Sequence, residues 1–371
     1  MPKILHTGDV HLGIKLSGLG RTGDRVRAAI KDAFTKSIDL ALSEKVDAFL
    51  IAGDLFDSNR VSNSLLRFAL SEIERLDKIP CILLPGTHDC LEKGSVVISL
   101  EEDKPDNLYI FTDPEKPTIE FPEKNLTFYG LPNLSNRSTT NPIKSVKRMD
   151  GDGRHILLAH GSFMIPNKTE PDDHPFELDD IESSGFDYVA LGHWHSVFEL
   201  PTKDVRAAYC GSPERLAFDQ TGSGNVLLVN IDDSVKIDKM PVGEMAWDEI
   251  SLSTANFKYT IEMERELQQY VGDKKLLRVE LSGIKSSETY IDTEEIVRNL
   301  KDSFLFIEVI DKTEATPSDL LDLNLPPTTI LGQFIRQVNE AVDSETDEDK
   351  KALLIESLRT GYALMSGKDV L

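Results

Sequence analysis

The sequence predicts an α/β protein: a four-layer α/β/β/α sandwich, then a small α+β capping domain, then a C-terminal helical tail. Three observations point there. From residue 3 to residue 84, short apolar runs alternate with amphipathic stretches, the rhythm of strands joined by right-handed crossover helices. Residues 126 to 231 are richer in strand-like segments, which supply a second sheet facing the first. Near Met245 to Thr254 that character changes, and two apolar stripes at helical spacing close the chain.

Taken in order, Lys3-Ile4-Leu5 opens the first strand. Asp24 to Glu44 carries Val26, Ile30, Phe34, Ile38 and Leu42 at the spacing of an amphipathic helix, and Ser62 to Leu76 repeats it. Between and after them, Ala48-Phe49-Leu50-Ile51-Ala52 and Cys81-Ile82-Leu83-Leu84 are continuous apolar runs, as strands covered on both faces require. Leu126 to Gly130, Ile156-Leu157-Leu158, Tyr188 to Leu191, Val205 to Cys210 and Asn225 to Ile231 read as the later strands. The sandwich is expected to span 1–245.

Leu276 to Leu281, Thr293 to Leu300 and Phe304 to Val309 form a strand, helix, strand unit, the core of a capping domain over 246–313. Thr316-Pro317 and Pro326-Pro327 bracket a linker, because prolines at this density interrupt regular structure. The remainder, 314–371, holds the linker and two helices. Leu331, Phe334, Ile335, Val338 and Val342 make one stripe; Leu354, Leu358, Tyr362 and Met365 make the other. Such stripes pack on their own domain or on a partner helix.

Composition narrows the function. No stretch approaches the roughly 18 apolar residues of a membrane span, and Met1-Pro2-Lys3-Ile4 lacks the regions of a signal peptide, so a cytoplasmic protein is expected. Cys81, Cys90 and Cys210 form no CxxC pair, which argues for reduced thiols. Against 64 acidic residues stand 41 basic ones, a net charge of −23. A simple electrostatic DNA binder would be basic. Cations, a second subunit or a local patch would have to compensate; Lys15, Arg21, Arg25, Arg27, Lys31, Arg60, Lys144, Lys147 and Arg148 are the candidates, though solubility alone explains such residues.

Five short signatures carry the chemistry. They are Asp9-Val10-His11, Gly53-Asp54, Gly86-Thr87-His88-Asp89, Ala159-His160-Gly161 and Gly192-His193-Trp194-His195, each directly after an apolar run. Strand ends of an open α/β sheet converge on one crevice, so these polar residues should meet there. A single His or Asp after a strand is ordinarily a cap, a turn former or a core residue. All five in order outline a two-metal hydrolase site, and mixed carboxylate and imidazole donors suit Mn²⁺, Fe²⁺ or Zn²⁺ better than Ca²⁺ or Mg²⁺.

The order DxH, GD, G(N/T)HD, HG and GHxH resembles the calcineurin-like metallophosphoesterases. With Asp9-Val10-His11-Leu12-Gly13 and Gly53-Asp54-Leu55-Phe56-Asp57, it looks like the SbcD-type nuclease subunit of a DNA double-strand-break repair complex. The motif resemblance covers about residues 3 to 215, through Tyr209-Cys210-Gly211-Ser212-Pro213-Glu214-Arg215. It implies that Asp9, His11 and His195 hold one metal, that His160 and His193 hold a second, and that Asp54 bridges them. His88 would be the catalytic, non-ligand histidine, with Asp89 orienting its ring. In the third signature the family usually has Asn as a second-metal ligand, whereas this chain has Thr87, a shorter and weaker neutral donor.

The resemblance further implies two Mn²⁺ ions as cofactor, DNA as substrate, a homodimer, and an SbcC-type coiled-coil ATPase bound by the C-terminal helices. Two rivals stand beside it. One is another phosphodiesterase or a phosphatase of the same superfamily, although protein phosphatases usually show GDxVDRG and GNHE in place of the spellings here. The other is a scaffold subunit whose second metal site has weakened at Thr87.

Overall fold

The computed structural model describes residues 2–285, 290–315, 320–323, 325–326 and 328–367. The chain divides into two compact units, Met1–Met245 and Ala246–Leu371.

In the first unit the elements run β1 (Lys3–Thr7), α1 (Thr22–Glu44), β2 (Ala48–Ala52), α2 (Asn63–Glu74), β3 (Cys81–Leu84), α3 (Val96–Asp103), β4 (Leu108–Ile110), β5 (Thr118–Phe121), β6 (Leu126–Gly130), β7 (Arg154–His160), α4 (Leu178–Glu182), β8 (Tyr188–Gly192), β9 (Phe198–Glu199), β10 (Arg206–Tyr209), β11 (Asn225–Ile231) and β12 (Val235–Pro241). They build two six-stranded sheets, ordered β12-β11-β1-β2-β3-β4 and β5-β6-β7-β8-β10-β9. Strands β1 to β4 are parallel, as are β6, β7, β8 and β10, while the remaining strands close the edges antiparallel.

Alternation along each strand decides the layers. Ile4, Leu50, Ile82 and Leu84 of the first sheet share one buried cluster with Phe128, Ile156, Leu158, Tyr188 and Ala190 of the second, so the two sheets face each other. The opposite face of the first sheet takes the helices: Phe34 of α1 meets Phe49 of β2 edge to face, with ring centroids 6.5 Å apart. Ser62 caps α2 by accepting the Leu65 amide. On the far face of the second sheet, Leu157, Val189 and Leu191 pack against Ile143, Val146, Phe176 and Ile181. Only Ile181 of these four lies on a helix, the five-residue α4, so the expected fourth layer is mostly loop. The Pro, Asn, Ser and Gly content of 132–153 explains why no longer helix forms there.

The second unit holds β13 (Ala246–Ser253), α5 (Thr260–Leu267), β14 (Gly272–Ser282), β15 (Ile284–Lys285), α6 (Thr293–Leu300), β16 (Phe304–Asp311), β17 (Glu314–Ala315), α7 (Ile330–Ser344) and α8 (Glu348–Met365). Parallel β13-β14-β16 is covered by α5 and α6 through Met263, Leu267, Ile296 and Leu300. Strands β14 and β16 and helix α6 lie where the sequence predicts them, whereas β13 and α5 carry no pattern that predicts them. The tail helices form their own small core from Leu320, Ile335 and Leu358, flanked by Leu331, Phe334, Val338 and Tyr362. Of the expected linker residues, Pro326 is described; Thr316, Pro317 and Pro327 lie outside the described residues.

Candidate metal centre

Parallel strands put their C-terminal ends at one edge of each sheet, and the five signature loops leave from those ends. The chain turns sharply there. Asp9, His11, Asp54 and His193 adopt positive φ of 49°, 50°, 52° and 105°, a region that costs an L-residue roughly 1–2 kcal/mol and persists where surroundings enforce it. Enforcement is visible in the backbone, since Asp9 donates to the Gly53 carbonyl and His11 to that of Asp54, both at 3.0 Å. Gly53, with φ 91°, has no alternative: a Cβ would come within 2.1 Å of His160 Nδ1.

Two donor groups are built on the expected ligands. Asp9, His11 and His195 form the first and Asp54, His160 and His193 the second, with the ligand atoms of each group within 4.8 Å of one another; a further group of the same kind, His11, Asp57 and His88, shares His11 with the first. His11 Nε2 and His195 Nε2 are 3.0 Å apart. Asp54 reaches both groups through one oxygen: Oδ2 is 3.2 Å from His160 Nε2 and 3.7 Å from His11 Nε2. Its Oδ1 accepts the His88 amide at 2.8 Å. Asp9, in turn, accepts the His193 amide at 3.0 Å on each oxygen.

The other sequence-derived residues sit at the same place with differing roles. Thr87 Oγ1 is buried, 3.2 Å from Asp54 Oδ2 and 3.4 Å from His160 Nε2, at the second group. His88 is exposed, with Nδ1 donating to the Asp57 carbonyl at 3.0 Å and its ring 4.8 Å from that of His11. Asp89 does not orient it. That carboxylate is fully buried and accepts the amides of Gly86 at 2.7 Å and Phe56 at 3.2 Å, so it braces two signature loops against each other. The expectation fails because adjacency in sequence does not fix direction: successive side chains diverge, and Asp89 points inward where His88 points out.

Three contacts escaped the sequence reading. Each occupies the second nitrogen of an imidazole in the groups. His11 Nδ1 lies 3.2 Å from Asp57 Oδ1, His195 Nδ1 lies 2.6 Å from Gln220 Nε2, and His193 Nε2 lies 2.9 Å from Asp173 Oδ2. Partners of this kind fix ring orientation and tautomer. The fourth ring is held by backbone, His160 Nδ1 donating to the Ala52 carbonyl at 2.8 Å. Asp57 lies within Gly53-Asp54-Leu55-Phe56-Asp57, but nothing in the sequence around Asp173 or Gln220 marks them.

Electrostatics show that the donor set suits cations. Burial alone would push the His160 imidazole down, yet Asp54 beside it raises it to about 10. Burial likewise opposes charge on Asp54, and His160 and His11 hold its carboxyl well below the usual range. In the His11 and His195 pair, Asp57 and Asp54 overcome burial to raise His11, while burial lowers His195 to about 4. Buried carboxylates therefore draw positive charge into both groups. Imidazole with carboxylate is the chemistry of Mn²⁺, Fe²⁺ or Zn²⁺ sites.

Such a site at the sheet ends of an α/β/β/α sandwich defines a metal-dependent phosphoesterase. The model of the calcineurin-like phosphoesterase family matches residues 2–197. The chain belongs to that family. It is 28% identical over 286 residues, 74% of this chain and 71% of the relative, to the "DNA double-strand break repair protein Mre11" of Sulfurisphaera tokodaii. To the protein of the same name from Saccharolobus solfataricus it is 24% identical over 370 residues, covering 95% and 94% of the two chains. It is also 27% identical over 264 residues, 68% and 64% of the chains, to the "Uncharacterized metallophosphoesterase YhaO" of Bacillus subtilis. The motif resemblance and the expectation of a metal-dependent phosphodiesterase are borne out.

Proposed function

We propose that the chain is the nuclease subunit of a DNA repair complex of the SbcCD kind, a two-metal phosphodiesterase whose substrate is DNA. One observation carries the reading. A relative named for double-strand break repair aligns over 95% of this chain, through the C-terminal unit as well as the metal centre, so the likeness is not confined to the catalytic fold.

In this reading Asp9, His11 and His195 would hold one cation and His160, His193 and Thr87 the other, with Asp54 placed to serve both. Mn²⁺ is the proposed ion. When bound, the cations supply a nucleophile from water and neutralise charge on the phosphodiester. The protein does the rest. Asp54 keeps the two groups joined through Oδ2, and the amides and carboxylates of the loops keep the donors aimed before substrate arrives. His88 donates its Nδ1 proton to the Asp57 carbonyl, which leaves Nε2 at the exposed side; with a second proton there, as imidazolium, that N–H bonds to the attacked phosphate or passes to the leaving oxygen, and the ring returns to neutral.

Residues 1–245 form the nuclease domain, 246–313 a cap that contacts DNA, and 314–371 the docking segment for an SbcC-type coiled-coil ATPase. Ile330 is 80% and Leu353 67% exposed on the tail helices, which is the kind of apolar surface a partner helix covers. The active form is a homodimer. Among the described residues no helix is long and apolar enough to cross a membrane, and we place the protein in the cytoplasm.

The test offers the full chain with Mn²⁺ linear and plasmid DNA beside a generic phosphodiester, with a chelator control. Cleavage of DNA supports the reading. Cleavage of the generic ester alone, with or without a coiled-coil ATPase, makes the chain a different phosphodiesterase, and no metal uptake with no hydrolysis makes it a scaffold.

A further inference from the structure

We propose that Asp173 is a positioning residue of the second metal site: its carboxylate accepts the Nε2 proton of His193, fixes the tautomer that leaves Nδ1 for the metal, and strengthens that nitrogen as a donor. The inference rests on the two-metal reading above. It adds a residue that none of the five signatures contains.

The geometry is specific. His193 Nε2 stands 2.9 Å from Asp173 Oδ2, while the same residue belongs with Asp54 and His160 to the second donor group, of which Asp173 is not a member. An imidazole has two nitrogens on opposite sides of its ring. With Nε2 turned to the carboxylate, Nδ1 is the atom left to face Asp54 and His160.

Asp173 is itself held in place. Ser162, directly after the His160-Gly161 signature, donates its hydroxyl to Asp173 Oδ2 at 2.5 Å and its amide to the Asp173 carbonyl at 3.2 Å. Trp194, between the two ligands of the fifth signature, donates its indole N–H to Ser162 Oγ at 3.4 Å. On the outer side, Arg137 Nη1 lies 3.6 Å from Asp173 Oδ1. The carboxylate is thus fixed from the fourth signature, the fifth and a separate loop.

This arrangement bears on the site's weakest member. Thr87 offers a neutral hydroxyl, a poorer donor than the amide oxygen usual in the family, and a carboxylate behind His193 offsets that by making the imidazole more basic. Outer partners of metal-bound histidines are worth roughly 10- to 100-fold in metal affinity.

The experiment titrates Mn²⁺ into the full chain and reads free ion by electron paramagnetic resonance. Wild type should bind two ions. Asp173→Asn, nearly isosteric, should weaken one of them by about 10- to 100-fold and leave the other unchanged, whereas Asp172→Asn, the same change at the exposed neighbouring carboxylate, should keep both within about twofold. Two ions with unaltered affinities in a folded Asp173→Asn protein overturn the proposal. Fewer than two ions in wild type overturn the two-metal reading instead. Should Asp173→Asn fail to fold, wild type decides: in ¹⁵N-histidine spectra of the Zn²⁺-loaded chain, His193 should show a proton on Nε2 and the metal on Nδ1. A metal on Nε2 refutes the assignment.

Discussion

Asp54 is the residue on which both donor groups depend, because Oδ2 alone lies within 3.7 Å of an imidazole in each. Asp54→Ala should therefore abolish hydrolysis and lower metal content, measured by elemental analysis. His88→Ala should abolish hydrolysis and keep both ions, since its Nδ1 donates to a carbonyl and its ring only abuts that of His11 edge to face; metal loss in that variant contradicts its role. Thr87→Asn should shift the Mn²⁺ dependence of the rate to lower concentration, with little change at saturation, and superimposable titrations of the two proteins would mean that position 87 is no ligand. A fourth residue predicts behaviour in acid. Burial pushes His6 down to about 3, with Nδ1 2.9 Å from the Tyr188 hydroxyl between the sheets. The unfolded imidazole titrates near 6.5, so the unfolded state binds more protons between those values; the contribution of neutral His6 is complete above 6.5 and is lost as pH falls toward 3. From pH 7.5 to 5 this amounts to ~2 kcal/mol. Urea unfolding of His6→Leu should show that much less loss than wild type over the same interval, and equal losses would remove His6 as the cause. At this scale the candidate donors that the structure brings together were legible, because their signatures follow apolar runs. Asp173, Gln220 and Asp57 as partners were not, because they approach their imidazoles from loops 20, 25 and 46 positions away in sequence.

Among the elements, strands and helices with strong periodicity matched residue for residue, as with Leu126–Gly130, Asn225–Ile231 and Thr293–Leu300. β13 escaped because Trp247 to Ser253 mixes charged and apolar positions on a strand that is only partly buried. The tail shows what periodicity cannot say. Its two stripes were legible as helices, yet what they face was open, and in the structure they face each other: Ile335 and Leu358 are 2% and 1% exposed within one small core. A partner must then use the other faces. Ile330→Asp with Leu353→Asp should abolish capture of a coiled-coil ATPase while leaving the melting temperature of the chain within a few degrees. Leu358→Ala should instead loosen the helix pair itself, by roughly 2–5 kcal/mol, through a cavity in that core. Pull-down beside thermal melts separates the two effects, and ATPase capture that survives both exposed substitutions moves the docking surface elsewhere. Leu320 belongs to the same core, so a truncation meant to remove the tail and leave the rest intact should end before it.

For the molecule as a whole, the charge is the feature that the proposed substrate must reconcile. DNA affinity comes largely from cations that neutralise phosphates, and this chain carries −23. Several basic side chains are also committed to acidic ones: Arg27 to Asp24, Arg75 to Asp39 and Glu72, Lys144 to Asp180, and Arg206 to Glu199. In the proposed reading a duplex is attracted by the metal centre, where two divalent ions would offset Asp9 and Asp54, and by basic residues near the first and second signatures such as Arg21, Arg25 and Arg60. With so large a negative charge, we expect the chain alone to make only about two phosphate contacts. Each contact contributes a slope of about −0.9 in log K against log salt, so raising salt fourfold should weaken binding by roughly tenfold, where six contacts would cost about a thousandfold. The His88→Ala protein, loaded with Mn²⁺ and unable to cut, allows the measurement by fluorescence anisotropy on a short duplex from 50 to 200 mM salt, the range over which such slopes are usually compared. Adding a DNA-binding ATPase should steepen the slope, because the second subunit then supplies the missing positive surface. A slope worth six or more phosphates for the chain alone would show a basic face that its composition conceals, and the partner would no longer be needed to account for DNA binding.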